Sequence, residues 1–306
     1  MRLSVKGALI FLLFVNPSYG GGTKGATPFN FLFLDPHPRP AALGGAYGSI
    51  AKNPHSLAYN PAGLSGLESN EISFMHNEHF EGITQDHLAL GLKKRSLAFS
   101  LTTLSFGKIP RTTLSNPSGS GLGNFTIRDW VFSVGYAQGY KEGFLSLGVA
   151  GKYLQERIDA YQAETLALDL GALIDLEPKE DIPAAIGVSL QNLGPKVKFQ
   201  SSQEELPTNL KTSLAYQPSK KSLIALDLNQ PKGGDSTIHL GAGYRVSNTL
   251  SLRAGYNGRN DAAGGLTAGF GFAHVMQGRR AILLEYAFVP FGDLGVSHLF
   301  SLGYRW

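Results

Sequence analysis

The amino-acid sequence predicts an all-β protein: a transmembrane antiparallel β-barrel of about fourteen strands with a small N-terminal plug segment. Three observations support this fold class. From Asn70 onward, hydrophobic residues recur with a period of two. Charged residues make up only 16% of the chain, yet no long apolar run follows the N-terminus. The chain also ends in an apolar and aromatic strand. Low charge without apolar runs is typical of outer-membrane strands, in which apolar and small or polar residues alternate.

The N-terminus has the features of an export signal. Arg2 and Lys6 precede a short apolar run, Ala8–Val15, and a Ser-Tyr-Gly sequence follows at residues 18–20. We expect residues 1–20 to be a cleavable signal peptide, because the apolar run is too short to cross a bilayer core of ~30 Å. There is no cysteine to carry a lipid anchor. The expected location is the outer membrane of a Gram-negative-type bacterium.

Charge and motifs argue against several classes of function. Of the 27 basic residues, the two in the signal peptide would be removed, which leaves 25 against 23 acidic residues. This balance predicts no nucleic-acid partner. The sequence contains no recognisable nucleophile arrangement, phosphate-binding loop or metal-ligand spacing. We therefore predict that the protein is not an enzyme and has no cofactor, no metal site and no catalytic residues.

Residues 21–69 do not follow the period of two and form the predicted plug. Phe29, Phe31 and Phe33 alternate near its start and are candidate contacts for a hydrophobic ligand. In the Ala- and Gly-rich stretch that follows, Pro40 could open a short helix, and Asn60-Pro61 predicts an X-Pro turn. The predicted plug or gate residues are Leu43, Gly44, Gly45, Ala46, Tyr47, Asn60, Pro61, Ala62 and Gly63.

Residues 70–306 form the predicted barrel. The period-two pattern predicts fourteen strands. These lie at residues 70–79, 84–93, 95–106, 125–138, 143–155, 164–175, 183–193, 208–217, 222–229, 236–245, 249–256, 265–275, 280–288 and 297–306. An even number suits a barrel whose two chain ends lie on the periplasmic side. The last strand closes the sheet, so that no edge remains unpaired.

Each predicted strand has one large apolar face and one face of small, polar or charged residues. Phe132 and Val134, for example, alternate with Ser133 and Gly135. A soluble β-sandwich also alternates, but its polar face seldom carries so many glycines. We therefore interpret the apolar face as lipid-facing and the small-residue face as the lining of a lumen. The charged residues predicted to face the lumen are Lys152, Asp169, Lys211, Asp227, Arg253, Glu285 and Arg305.

The predicted lumen charges leave two interpretations open. They could line a polar conduit, or they could pair with one another and with the plug. The predicted connections sort by length, with short turns on the periplasmic side. The longer connections are at residues 107–124, 156–163, 194–207, 230–235 and 257–264.

The sequences AALGGAY at 41–47 and NPAGL at 60–64, followed by fourteen predicted strands, resemble the PorV/PorQ family. That family belongs to the long-chain fatty-acid-transporter-like outer-membrane barrels. The resemblance implies one of two activities. PorV-like members serve type IX secretion and hold exported proteins at the outer membrane, whereas relatives of the fatty-acid transporter pass hydrophobic molecules through a plugged barrel.

Two functions are therefore expected, and both involve outer-membrane lipid as a partner. The first is a platform for export or surface retention of secreted proteins, in which the loops 107–124 and 194–207 bind exported clients or secretion-system components. The second is a channel for hydrophobic small molecules, in which the segment 40–64 acts as a gate. The motif match favours the first.

Overall fold

The computed structural model describes residues 28–177, 182–199, 202–260, 262, 264–276, 278 and 280–306. The predicted signal peptide, residues 1–20, and the first part of the predicted plug, residues 21–27, lie outside the described residues. Fourteen antiparallel strands form one closed barrel, and this confirms the predicted fold class. No helix in the described part of the chain is long and apolar enough to cross a membrane.

All fourteen predicted barrel strands are present, with ends that differ from the prediction by at most three residues. Four further short strands pair outside the barrel, β4 with β5 and β10 with β11. In chain order the strands are β1 (Glu71–Glu78), β2 (Thr84–Leu92), β3 (Leu97–Ser105), β4 (Ile109–Pro110), β5 (Asn124–Phe125), β6 (Ile127–Tyr140), β7 (Leu145–Ile158), β8 (Tyr161–Asp175), β9 (Ala184–Leu193), β10 (Val197–Phe199), β11 (Ser202–Glu204), β12 (Asn209–Ser219), β13 (Ser222–Pro231), β14 (Thr237–Arg245), β15 (Leu250–Asn257), β16 (Leu266–Val275), β17 (Ala281–Pro290) and β18 (Val296–Arg305).

The barrel closes between its first and last strands. β1 pairs antiparallel with β18, with Glu71 opposite Arg305 and Glu78 opposite His298. The side chains alternate as the sequence predicts: Ile72 and Phe74 are exposed on the outside, whereas Ser73 and Met75 are buried on the inside. A closed ladder pairs the backbone groups of the wall, which is the condition for a β-structure in lipid.

The two ends of the barrel differ in their connections. The turn end holds the start of β1, the end of β18 and short connections such as Lys93–Arg95. The loop end holds the long connections between β3 and β6 and between β9 and β12. The prediction of a long connection at 156–163 is wrong. β7 continues to Ile158 and β8 begins at Tyr161, so only a two-residue turn joins them. In this turn Asp159 has a left-handed φ of 57°, which Asp tolerates.

The described part of the predicted plug, residues 28–69, lies inside the barrel, and we call it the inner segment. The backbone N–H of Phe29 donates to Glu156 near the loop end of β7 (2.6 Å), and Ser65 Oγ lies 2.7 Å from Ser146 Oγ near the turn end of β7. The inner segment therefore runs the length of the lumen. It contains 3-10 helices at Asn30–Phe33 and Pro61–Gly66 and short α-helices at Pro38–Ala42 and Ser56–Tyr59.

The first α-helix of the inner segment begins two residues earlier than predicted. Pro38, not Pro40, is its first residue, and His37 caps it by accepting a hydrogen bond from the Arg39 backbone N–H at 3.2 Å. Proline suits that position because the first N–H of a helix has no partner within the helix. The predicted turn at Asn60-Pro61 instead starts a 3-10 helix.

Candidate functional site

The predicted gate residues of the inner segment pack against inward-facing glycines of the barrel. A Cβ added to Gly255 would lie 2.2 Å from the Gly44 nitrogen, and one added to Gly171 would lie 2.1 Å from the Asn60 side chain. Leu43 packs in the same way against Gly241. Non-bonded atoms do not approach so closely, so these wall positions have no space for a side chain. The backbone of the segment Pro40–Leu64 therefore packs directly against the inner face of the barrel.

Backbone groups around Leu43–Tyr47 are held by polar side chains of the wall. Gly44 and Gly45 have φ values of 66° and 86°, which glycine adopts without strain. The Gly44 carbonyl lies 2.6 Å from His239 Nδ1. The N–H groups of Tyr47 and Gly48 donate to Asp227 Oδ2 at 3.1 and 2.9 Å. Leu43, Ala46 and Tyr47 are almost completely buried.

Asn60 connects the second predicted gate motif, residues 60–63, to the barrel wall. Its Oδ1 accepts a hydrogen bond from the Ala62 N–H at 3.1 Å, and its Nδ2 donates to the Ala172 carbonyl on β8 at 3.0 Å. Its neighbours Pro61, Ala62 and Gly63 are buried. One asparagine side chain therefore caps the 3-10 helix and ties it to the barrel wall.

The predicted lumen charges pair with one another. The Lys152 ammonium lies 2.6 Å from Asp169, Lys211 lies 3.7 Å from Asp227, and Arg253 lies 3.3 Å from Glu285. The remaining predicted charge, Arg305, lies 2.8 Å from a residue that the sequence did not single out, Glu71.

Two of these carboxylates also hold the inner segment. Asp227 accepts the two backbone N–H groups described above, and Glu285 binds the Arg39 guanidinium, with Arg39 Nε 3.1 Å from Oε1. Since Glu285 also contacts Arg253, one carboxylate faces two cations. Among the described residues, the lumen charges are thus engaged in ion pairs rather than presented along an open conduit.

A stack of buried histidines was not anticipated from the sequence. The rings of His37 and His55 stack with centroids 3.8 Å apart, and His55 Nδ1 lies 3.3 Å from His87 Nε2 on β2. Burial lowers the pKa of His37 and of His55 well below 6.5, since a charged imidazole would lose its hydration there. The only sequence signal was that two of the three histidines lie in the predicted plug.

Phe29 and Phe31 lie in an apolar cluster at the loop end of the lumen. Phe33 lies apart from this cluster, beneath the Arg259 guanidinium at 3.6 Å from the ring centre. Leu32, Leu34, Ile83 and Phe106 pack against the cluster. The buried members of the cluster are Phe29, Phe31, Leu104, Val131, Leu154, Ala163, Ala167, Val197 and Leu206.

Two cavities of about 40 Å³ each flank residues 32–36 of the inner segment. Cavity A touches the apolar cluster through Phe31 and Val131. Cavity B is lined by charged and amide side chains, among them Lys211 and Arg259. Each is smaller than the roughly 150 Å³ of an engineered apolar cavity that holds benzene. A solute as large as benzene can therefore enter either cavity only if some of the lining residues move.

Comparison with solved structures supports the fold. The toluene transporter TbuX from Ralstonia pickettii superposes with a TM-score of 0.58 at 13% identity, over 88% of this chain and 98% of that chain. A mutant of the monoaromatic hydrocarbon channel TodX gives a TM-score of 0.52, also at 13% identity, over 88% and 97% of the two chains. No protein-family model and no curated protein matches the sequence. The barrel fold is thus that of bacterial outer-membrane proteins, and the resemblance to the PorV/PorQ family stays a prediction.

Proposed function

We propose that this protein passes small hydrophobic molecules across the outer membrane, with the inner segment as its gate. The observation that carries the proposal is the apolar cluster at the loop end. The interior of a water-filled porin is polar, whereas here buried apolar side chains of the wall meet Phe29 and Phe31. Such a cluster favours apolar solutes over water. The fold shared with a toluene transporter and a hydrocarbon channel supports this function.

Residues 28–36 are the part of the gate that moves in this proposal. They separate the two cavities and contribute the phenylalanines of the apolar cluster. The rest of the inner segment is held by wall glycines, by Asp227 and by Glu285. Displacement of residues 28–36 would join cavity A to the loop end and leave the remaining inner segment in place. The predicted gate motifs at 43–47 and 60–63 would then act as its fixed base.

An uptake assay tests this function. Outer-membrane vesicles with the barrel should take up radiolabelled toluene faster than vesicles without it. Leu154→Asn, which places an amide in the apolar cluster, should slow uptake because an apolar solute would then meet a polar group. Leu283→Asn is the matched control, since Leu283 is a buried lumen residue outside the cluster. Equal uptake with and without the barrel would contradict the proposal.

Protein export is the second candidate function. The observation that favours it is Leu114, which is fully exposed in the long connection between β3 and β6. An exported client could bind such a loop. Deletion of residues 107–124 should then leave the barrel folded and reduce recovery of co-purifying exported proteins. Unchanged recovery from the deletion variant would count against this function.

A further inference from the structure

Cavity A has one apolar side and one polar side. Its apolar side is formed mainly by the inner segment, through Phe31, Leu32, Leu34 and Leu57. Its polar side is formed by the barrel wall, through Gln85, His87, Ser100, Thr102 and Ser133. A molecule that occupied the cavity would therefore meet hydrocarbon on one side and hydrogen-bonding groups on the other.

The hydroxyl groups of the polar side come from neighbouring strands. Ser100 on β3 lies directly opposite Ser133 on β6 in the ladder, and Thr102 follows on the same face of β3. Thr102 Oγ1 lies 2.8 Å from Nδ1 of His87. A hydroxyl group both donates and accepts hydrogen bonds, as does a neutral imidazole. This wall can therefore bind a donor, an acceptor or a group that is both.

The polar side offers no uncompensated charge. Lys152 is the one lining residue, within the described chain, that has a permanent charge. Its ammonium lies 2.6 Å from Asp169 and donates to Asn192 Oδ1 at 2.8 Å. An anion in cavity A would lose its hydration without gaining a free counter-ion, which is costly. A bare hydrocarbon would exclude water from the wall hydroxyls, and it has no group that could form a hydrogen bond with them instead.

We propose that the preferred substrates have an apolar body and one neutral hydrogen-bonding group, as an alkylphenol does. This inference rests on the proposed function and narrows its substrate class. The hydroxyl of such a molecule would bind Ser100 or Ser133, since Thr102 already contacts His87. Its ring would lie where Phe31 and Leu32 now pack, next to Val131 of the wall. A bare hydrocarbon lacks the hydrogen-bonding group, and a carboxylate carries a charge that Lys152, already paired with Asp169, does not neutralise.

Binding of three compounds with one ring and one methyl group tests the inference. Toluene, 4-methylphenol and 4-methylbenzoate differ only in the presence and charge of the head group. Binding to the purified barrel is measured at pH 7.5, with empty detergent micelles subtracted. We expect 4-methylphenol to bind roughly 3- to 10-fold more tightly than toluene, because one neutral hydrogen bond contributes about that much to an affinity. We expect 4-methylbenzoate to bind most weakly.

Serine variants locate the effect in the cavity. The double variant Ser100→Ala with Ser133→Ala should bring the affinities for 4-methylphenol and toluene together, because it removes both the hydrogen bond to the phenol and the hydroxyls that toluene leaves without a partner. Ser301→Ala is the matched control, because Ser301 is a buried lumen serine outside the lining of both cavities. Heat-dependent migration on gels confirms that each variant is folded.

The outcomes separate this inference from the proposed function. If toluene binds as tightly as 4-methylphenol, or 4-methylbenzoate binds most tightly, the inference is overturned while passage of hydrophobic molecules stands. If the double variant keeps the full preference for 4-methylphenol, the assignment of the hydroxyl-binding site to Ser100 and Ser133 is overturned. If none of the three compounds binds, the proposed function fails as well.

Discussion

Gly148 on β7 leaves no space between the barrel wall and Ala62 of the inner segment. A Cβ at Gly148 would lie 2.3 Å from the Ala62 nitrogen. Comparable close approaches occur at Gly171, Gly241 and Gly255, on three other strands. The abundance of glycine on the lumen face thus has a specific cause, which is the close approach of a second backbone.

Gly148→Val should therefore destabilise the barrel or displace the inner segment. Overpacking of a filled interior costs about 1–3 kcal/mol, and more when the obstructing atoms are backbone. Gly151→Val is the control on the same strand, because Gly151 faces outward and a Cβ there would meet nothing within 4 Å. Thermal unfolding in detergent measures both variants. Equal midpoints would contradict the close contact.

Glu285 should contribute more to stability than a carboxylate on the outer face. Glu285→Gln leaves Arg39 and Arg253 without their shared carboxylate, and loss of one partner from a buried ion pair costs about 3–5 kcal/mol. The comparison variant is Asp86→Asn, whose exposed pair with His76 should be worth about 0–1 kcal/mol. Denaturant unfolding of the two variants tests the difference. A smaller loss for Glu285→Gln than for Asp86→Asn would contradict the buried pairing.

Acid should loosen the inner segment through the histidine stack. Burial keeps the pKa of His37 and of His55 well below 6.5 in the folded protein. A histidine with a lowered folded-state pKa stabilises the fold above about pH 6.5, and this contribution is lost as the pH falls below that value. Arg39 lowers the pKa of both rings further, whereas Glu285 opposes the effect of burial on the pKa of His55.

The pH effect is measured as the difference in unfolding midpoint between pH 7.5 and pH 4.5. Acidic side chains also titrate over this range, so wild type is compared with His55→Phe, which removes one titrating ring and keeps its bulk. Wild type should lose more stability than His55→Phe on acidification. The same loss in both proteins would exclude His55 as a contributor.

The barrel could be predicted from sequence because its pattern is local. Alternation within each strand gave the fourteen strands and their lipid-facing and lumen-facing sides, and the lumen charges Lys152 and Asp169 were placed on the correct face. Each of these inferences needs only neighbouring residues and the pleat of a strand. The short turn at Asp159 was missed because nothing in the sequence showed how far β7 and β8 continue at the loop end of the barrel.

The arrangement inside the lumen could not be predicted because its contacts join distant residues. Phe29 binds Glu156, and Arg39 binds Glu285, across more than a hundred residues of chain. Composition could indicate that residues 21–69 form a plug of small residues, but it could not show which of them contact the wall. The residues that pack against wall glycines and those that flank the two cavities are known only from the structure.

The most direct test of the account is to fasten residues 28–36 to the wall. The chain has no cysteine, so Phe29→Cys with Glu156→Cys can be joined by a reducible bifunctional thiol cross-linker. Each single-cysteine variant, treated with the same reagent, is the control. We expect the cross-linked barrel to lose toluene uptake and to regain it on reduction. Unchanged uptake by the fully cross-linked protein would contradict a gate formed by residues 28–36.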